Sequence, residues 1–311
     1  MKLTGLVTAT YTPFDPDTGE VNLDLIAPMT EHMLARGSAG FYVCGSTGEG
    51  ESLSVGERKS VAAAFVKAAD GRVPVIVQAG HNSGASAREL AAHAAEIGAD
   101  AISTLPPTYF KPASPEALME FISQVAGAAP ALPYYYYHIP NMSGVRFDMV
   151  ALLRLAAERV PSFNGVKFSD FFLADMMACQ EFDGGRYDIL FGSDEMMLGA
   201  LACGAKGAVG SSYAFAAPLW RRIIDAHERG ERDEAHRWML KAARLVRMIA
   251  GAPGPYPACV KQVIWPLLGF DPGPLRTPQP TMSQAQIDAA RQELDESGFA
   301  GEIVSGDFNL P

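Results

Sequence analysis

Lys167 is the side chain with the plainest route to covalent chemistry. It lies in FNGVKFS (163–169), and of the chain's eight lysines it alone falls inside an apolar, strand-like run. Successive side chains of a strand point to opposite faces. If Val166 packs under a covering layer, Lys167 points the other way, into whatever the sheet encloses. Desolvation favours the neutral amine, which is a nucleophile toward ketones. The competing reading pairs the same lysine with Asp170 or another carboxylate for structural reasons alone. The second stretch is PYYYYHIP (133–140). Alternation sets Tyr135 and Tyr137 on one face, Tyr134 and Tyr136 on the other. Tyr137 is last in the run, with Tyr135 deeper on the same face.

Three polar clusters accompany them. GSTGE (45–49) offers the hydroxyls and backbone N–H groups of Ser46 and Thr47, a cradle suited to a carboxylate. It is equally readable as a glycine-rich turn before the helix SVGERKSVAAAFVKAA, and it lacks the GK[ST] ending of a phosphate loop. GSDE (192–195) places Asp194 and Glu195 where they could charge the start of the helix EMMLGALACGA. Ionised carboxylates are also acceptors for a polyhydroxylated ligand. GSSY (210–213) supplies further hydroxyls. The Met pairs at 176–177 and 196–197 read as helix packing.

These clusters sit at the ends of eight apolar or β-branched runs, near 3–11, 40–46, 73–80, 100–107, 133–139, 163–169, 187–193 and 207–213. Amphipathic stretches separate them. One runs from near Ser86 to Gly98, one has Ser114 as N-cap with Pro115 behind it, and one starts at Asp148. Near-continuous apolar strands are covered on both faces. Eight repeats of about 25–30 residues predict a (β/α)8 barrel. The alternative is an open doubly wound sheet, which usually carries a glycine fingerprint after its first strand. Here that strand runs into TYTPFDPDTGE instead. The expected organisation is a barrel core over 1–215, a last barrel helix and appended helical layer over 216–299, and an irregular tail over 300–311.

The formal net charge of −10 speaks against a nucleic-acid partner. No apolar run reaches the 18 residues of a membrane span, and MKLTGLVTATYTPF does not read as a signal peptide, so a cytoplasmic location is expected. The four cysteines form no CxxC and the six histidines no HxxxH, so neither a zinc site nor a disulfide framework is indicated.

In combination, GSTGE, YHIP, GVKFSD, GSDE and GAVGSSY resemble the class I pyruvate-dependent aldolases and lyases, the family that includes dihydrodipicolinate synthase and N-acetylneuraminate lyase. The resemblance runs from TATYTPF to about residue 285. It implies a Schiff base on Lys167, Tyr137 as general acid/base, and Ser46 and Thr47 holding the substrate carboxylate and linking to Tyr137. It implies no cofactor and no metal, and a homotetramer in which Tyr109 reaches the neighbouring subunit's site. Tyr11 is expected on the site floor. Within the family, the synthases usually carry an arginine just after the segment corresponding to YHIP. Here that stretch is YHIPNMSGV, and Arg146 lies beyond it. The remaining motifs look like the neuraminate lyase branch. There Ser169, Gly192, Asp194, Glu195, Gly210 and Ser211 would contact the sugar chain, and the reaction would be reversible cleavage of N-acetylneuraminate to N-acetylmannosamine and pyruvate. An aldolase for 2-keto-3-deoxy sugar acids is the alternative.

Overall fold

A computed structural model describes residues 1–310. Eight parallel strands close into a barrel in chain order: β1 (Gly5–Ala9), β2 (Gly40–Val43), β3 (Val75–Gln78), β4 (Ala101–Thr104), β5 (Tyr134–His138), β6 (Phe163–Phe168), β7 (Asp188–Phe191) and β8 (Gly207–Gly210). Parallel neighbours require a crossover between them. The crossovers carry α1 (Ile26–Ala35), α2 (Val55–Ala69), α3 (Gly84–Glu96), α4 (Pro115–Gly127), α5 (Met149–Arg159), α6 (Leu173–Gly185) and α7 (Met197–Ala202), and α8 (Tyr213–Glu228) follows the last strand. This is the expected (β/α)8 barrel.

The helix starts follow local chemistry. Ser114 caps α4 ahead of Pro115, and Asp148 caps α5 by accepting from the Ala151 N–H at 2.7 Å. α3 starts ahead of the expected Ser86, because Ser83 is the residue whose hydroxyl accepts from the Ser86 N–H. The barrel has two apolar layers. Tyr134, Tyr136, Val166 and Phe168 pack outward with the helices, while Val7, Tyr42, Ile76, Tyr135, Tyr137 and Leu190 fill the interior. In the β5–β6 register Tyr137 lies opposite Lys167. The barrel floor is closed by polar groups. The Tyr135 hydroxyl donates to Asp188 Oδ2 at 2.7 Å and accepts from Asn164 Nδ2 at 2.8 Å, and the Leu3 N–H also reaches Asp188.

The chain continues through α9 (Arg232–Gly251), the consecutive pieces Tyr256–Cys259, Val260–Ile264 (a π-turn) and Trp265–Leu267, then α10 (Gln284–Glu296) and α11 (Phe299–Ser305). The expected boundary at 215 falls inside α8. The tail expected to be irregular from 300 is instead helical to Ser305, and Phe299, Ala300, Ile303 and Phe308 are buried. Glycines at positive φ, Gly298 and Gly306, delimit that short helix. Its Glu302 accepts from Lys241 of α9 at 2.6 Å. Among the described residues, no helix is long and apolar enough to cross a membrane.

Candidate active site

The strands' C-terminal ends open into a cavity of about 350 Å³, which Tyr137 and Lys167 line from β5 and β6. Barrel enzymes place their chemistry at this end. Size alone does not select it: a recess of about 620 Å³ lies against Phe270 and the C-terminal helices, away from the strand ends. The barrel mouth is the cavity that holds a buried lysine beside a buried tyrosine.

Lys167 is 4% exposed. Its Nζ stands 3.9 Å from the ring centres of both Tyr42 and Tyr137. Burial pushes its pKa below the ordinary lysine value, against the pull of Tyr137 and Asp194. The structural alternative fails on geometry. Asp170 is engaged by Arg146 through two hydrogen bonds and faces His138 Nε2 at 3.5 Å, and among the described residues no carboxylate forms an ion pair with Lys167. The Tyr137 hydroxyl lies 3.4 Å from Ser46 Oγ, and its ring meets Tyr42 edge-on at 5.6 Å. Tyr42 is held in turn by its hydroxyl, which donates to Ser103 Oγ at 2.9 Å.

The loop after β2 brings Ser46 and Thr47 to the same mouth. Two non-glycine residues on either side of them, Cys44 and Glu49, lie in the left-handed region at φ 58° and 54°. Such backbone persists only where its surroundings over-determine it. Here the Thr12 hydroxyl donates to the Gly48 carbonyl at 2.6 Å, and a Cβ on Gly48 would stand 3.0 Å from the Thr10 carbonyl oxygen. The glycine in that turn is therefore a packing requirement.

On the opposite side, Gly192 to Glu195, Gly210 and Ser211 line the cavity. Asp194 does not cap its own helix. Its Oδ2 accepts the Ser212 N–H at 3.0 Å and the Ser212 hydroxyl, tying the end of β7 to the start of α8. Burial raises its pKa to about 6, with Ser212 pulling the other way. Any side chain at Gly210 would collide with its Oδ1. Glu195 is exposed on the cavity lining. Ser169 lies against Gly192, with its hydroxyl buried and unpartnered.

Tyr109 and Tyr11 do not line this cavity. Tyr109 is 80% exposed on the loop after β4 and does not line this chain's cavity. Tyr11 stands behind the cavity wall, its ring on Trp265 at 6.2 Å and its buried hydroxyl beside Ser211 and Tyr256, while Ala9 lines the cavity itself. β1 ends at Ala9, so its alternation does not carry on to Tyr11. Conversely, Tyr42 went unnoticed, although alternation about Phe41 would have turned it inward. Tyr256, Val246 and Ala250 also line the cavity, from outside the eight strands. Tyr256 receives a hydrogen bond from Ser211 Oγ at 3.4 Å.

Comparison with known proteins identifies the family. The profile of the Dihydrodipicolinate synthetase family matches residues 2–297. The chain is 43% identical to N-acetylneuraminate lyase A of Xenopus laevis over 76% of its length and 77% of that protein's. It is 37% identical to N-acetylneuraminate lyase of Homo sapiens, covering 99% of this chain and 97% of that one. Its fold superposes on the solved Proteus mirabilis N-acetylneuraminate lyase with a TM-score of 0.92 at 36% identity, covering 96% of this chain and all (100%) of the other.

Proposed function

Starting from the fact that the chain belongs to the Dihydrodipicolinate synthetase family, we propose that it is a Schiff-base lyase that reversibly cleaves N-acetylneuraminate to N-acetylmannosamine and pyruvate. The observation that carries the chemistry is Lys167, buried between two tyrosine faces at 3.9 Å and, among the described residues, unpaired with any carboxylate. The choice of substrate rests on the similarity to N-acetylneuraminate lyases over nearly the whole chain. It also rests on Arg146, which is hydrogen-bonded to Asp170 and absent from the cavity lining, so that it offers no second carboxylate site there.

Ser46 and Thr47 hold the substrate carboxylate. The neutral amine of Lys167 attacks C2 of the open-chain sugar acid, and the Tyr137 phenol gives its proton to the departing hydroxyl, which leaves as water from a protonated imine and a Tyr137 phenolate. The imine draws in the electron pair as C3–C4 breaks, while Tyr137 accepts the C4 hydroxyl proton. N-acetylmannosamine departs, the enamine is protonated at C3, and water releases pyruvate and the free lysine. The Ser46 hydroxyl, 3.4 Å from the Tyr137 phenol oxygen, is within reach to relay the Tyr137 proton. Ser169, Gly192, Asp194, Glu195, Gly210 and Ser211 receive the polyhydroxyl chain. The protein works as a homotetramer without metal or organic cofactor, and its four free cysteines suit a reducing cytoplasm.

Incubation with pyruvate and borohydride, followed by peptide mapping, is expected to label Lys167. A label on another lysine, or none, defeats the Schiff base. Given the label, release of pyruvate from N-acetylneuraminate is compared with release from 2-keto-3-deoxygluconate. Preference for the latter overturns the substrate assignment and leaves the chemistry standing.

A further inference from the structure

Lys261 and Glu49 are both buried ions, and neither lines the catalytic cavity. Lys261 Nζ lies 3.0 Å from Glu49 Oε1, and the two side chains are 0% and 1% exposed. The lysine's remaining donors are spent on the carbonyls of Thr12 at 2.9 Å and Pro274 at 3.0 Å. Glu49 Oε2 accepts from the Arg276 N–H at 3.0 Å and from Gln279 Nε2 at 3.2 Å. The Phe14 ring covers both cations, Lys261 at 4.1 Å and Arg276 at 4.4 Å.

Taking two charges out of water is costly, and an apolar pair often serves stability as well. The arrangement therefore points to geometry as its use. Glu49 is the last residue of the strained GSTGE turn, at φ 54°, two residues beyond Thr47. Lys261 lies in a π-turn, Val260–Ile264, a form of helix enriched at functional sites. The pair joins four separate pieces: the segment after β1, the turn after β2, the π-turn, and the stretch 274–279. It also cancels a buried negative charge beside a cradle that must accept a carboxylate. We infer that Lys261 and Glu49 are positioning residues, which hold Ser46 and Thr47 in carboxylate-binding shape and neutralise the field there. This rests on the reading of Ser46 and Thr47 as the seat of the substrate carboxylate.

The test reads how much pyruvate half-saturates borohydride labelling of Lys167. In Glu49→Gln the label is expected to reach full yield at saturating pyruvate, with the half-saturating concentration raised about tenfold or more and kcat for cleavage changed by under about threefold. Asp188→Asn, which alters a buried carboxylate on the barrel floor, is expected to lower the melting temperature without moving half-saturation. If Glu49→Gln fails to fold, the double variant Glu49→Gln with Lys261→Met, which leaves no unpaired charge, is judged by the same criterion. Half-saturation within about twofold of the native chain overturns the inference, as does an equal rise in Asp188→Asn. A native chain that takes no label defeats the Schiff-base reading, and the inference falls with it. A labelled native chain with an unshifted variant overturns the inference alone.

Discussion

The reactivity assigned to Lys167 is a consequence of where its amine is held. Its amine is buried, and the charged form loses more hydration there than the neutral form, which outweighs the opposing pull of Tyr137 and Asp194. The sign of the pH response follows. A lysine pushed down by burial supplies neutral amine at lower pH than a solvated one. The rate of imine formation at saturating pyruvate should rise with pH and level off below the ordinary lysine value of 10.5. Borohydride quenching at intervals across the neutral and alkaline range measures this, and a rate still climbing at that value contradicts it. The division of labour with Tyr137 is separately testable. Tyr137→Phe keeps the ring that packs on Tyr42 and removes the hydroxyl 3.4 Å from Ser46 Oγ. Labelling of Lys167 should persist, while turnover falls by about 10²-fold or more, the usual worth of a general acid/base. Near-native turnover in that variant removes Tyr137 from the proton transfer.

Strand β5 shows how one element sorts four identical side chains into different duties. Tyr134 and Tyr136 face the helices, Tyr137 faces Lys167 across the register, and Tyr135 sits deeper, bonded to Asp188 and Asn164. Tyr135→Phe deletes a hydrogen bond to a buried carboxylate. It should cost about 2 kcal/mol of stability, seen as a lower melting temperature, and leave turnover within about twofold of native. A loss of turnover comparable to that of Tyr137→Phe would show that the two inward tyrosines act together. The inward set on β5 and β6 was legible because period-2 alternation needs only neighbouring residues, and the caps at Ser114 and Asp148 were legible for the same reason. What escaped is non-local. Tyr256, Val246 and Ala250 reach the cavity from segments whose placement depends on how the C-terminal helices pack over the barrel mouth. Glu49 and Lys261 are separated by 212 residues of chain. Asp194 reads as a cap for the helix it begins, yet its carboxylate is claimed by Ser212, across a strand it does not belong to. The helix Phe299–Ser305 shows too few residues for a period, and burial against neighbouring segments forms it.

At the scale of the whole molecule, the surface around the barrel mouth carries exposed aromatic side chains. Tyr109 and Phe110, 80% and 86% exposed, pack edge-on against each other at 4.9 Å. Their loop is held in place, since Asn82 Oδ1 accepts the N–H groups of Thr108 at 2.8 Å and Tyr109 at 3.1 Å. Met142, in the short helical turn Pro140–Ser143 after β5, is 69% exposed, and Phe171 and Phe172, after β6, are 49% and 57% exposed. Ordered aromatic side chains held out into water are characteristic of interaction surfaces. Closed symmetric association of identical chains would cover them and is the commonest form of oligomer. If the proposed homotetramer forms, light scattering returns four times the 33.2 kDa chain mass, and Phe110→Asp reduces that mass. If Tyr109 serves the neighbouring subunit, two inactive variants should complement each other. Lys167→Ala retains Tyr109, and Tyr109→Ala retains Lys167. A mixed pair then contains one site with both residues, so unfolding and refolding the variants together should restore roughly a quarter of native activity for random pairing. Restoration places Tyr109 across the interface. Activity no greater than the sum of the separate variants would confine it to its own chain or to packing.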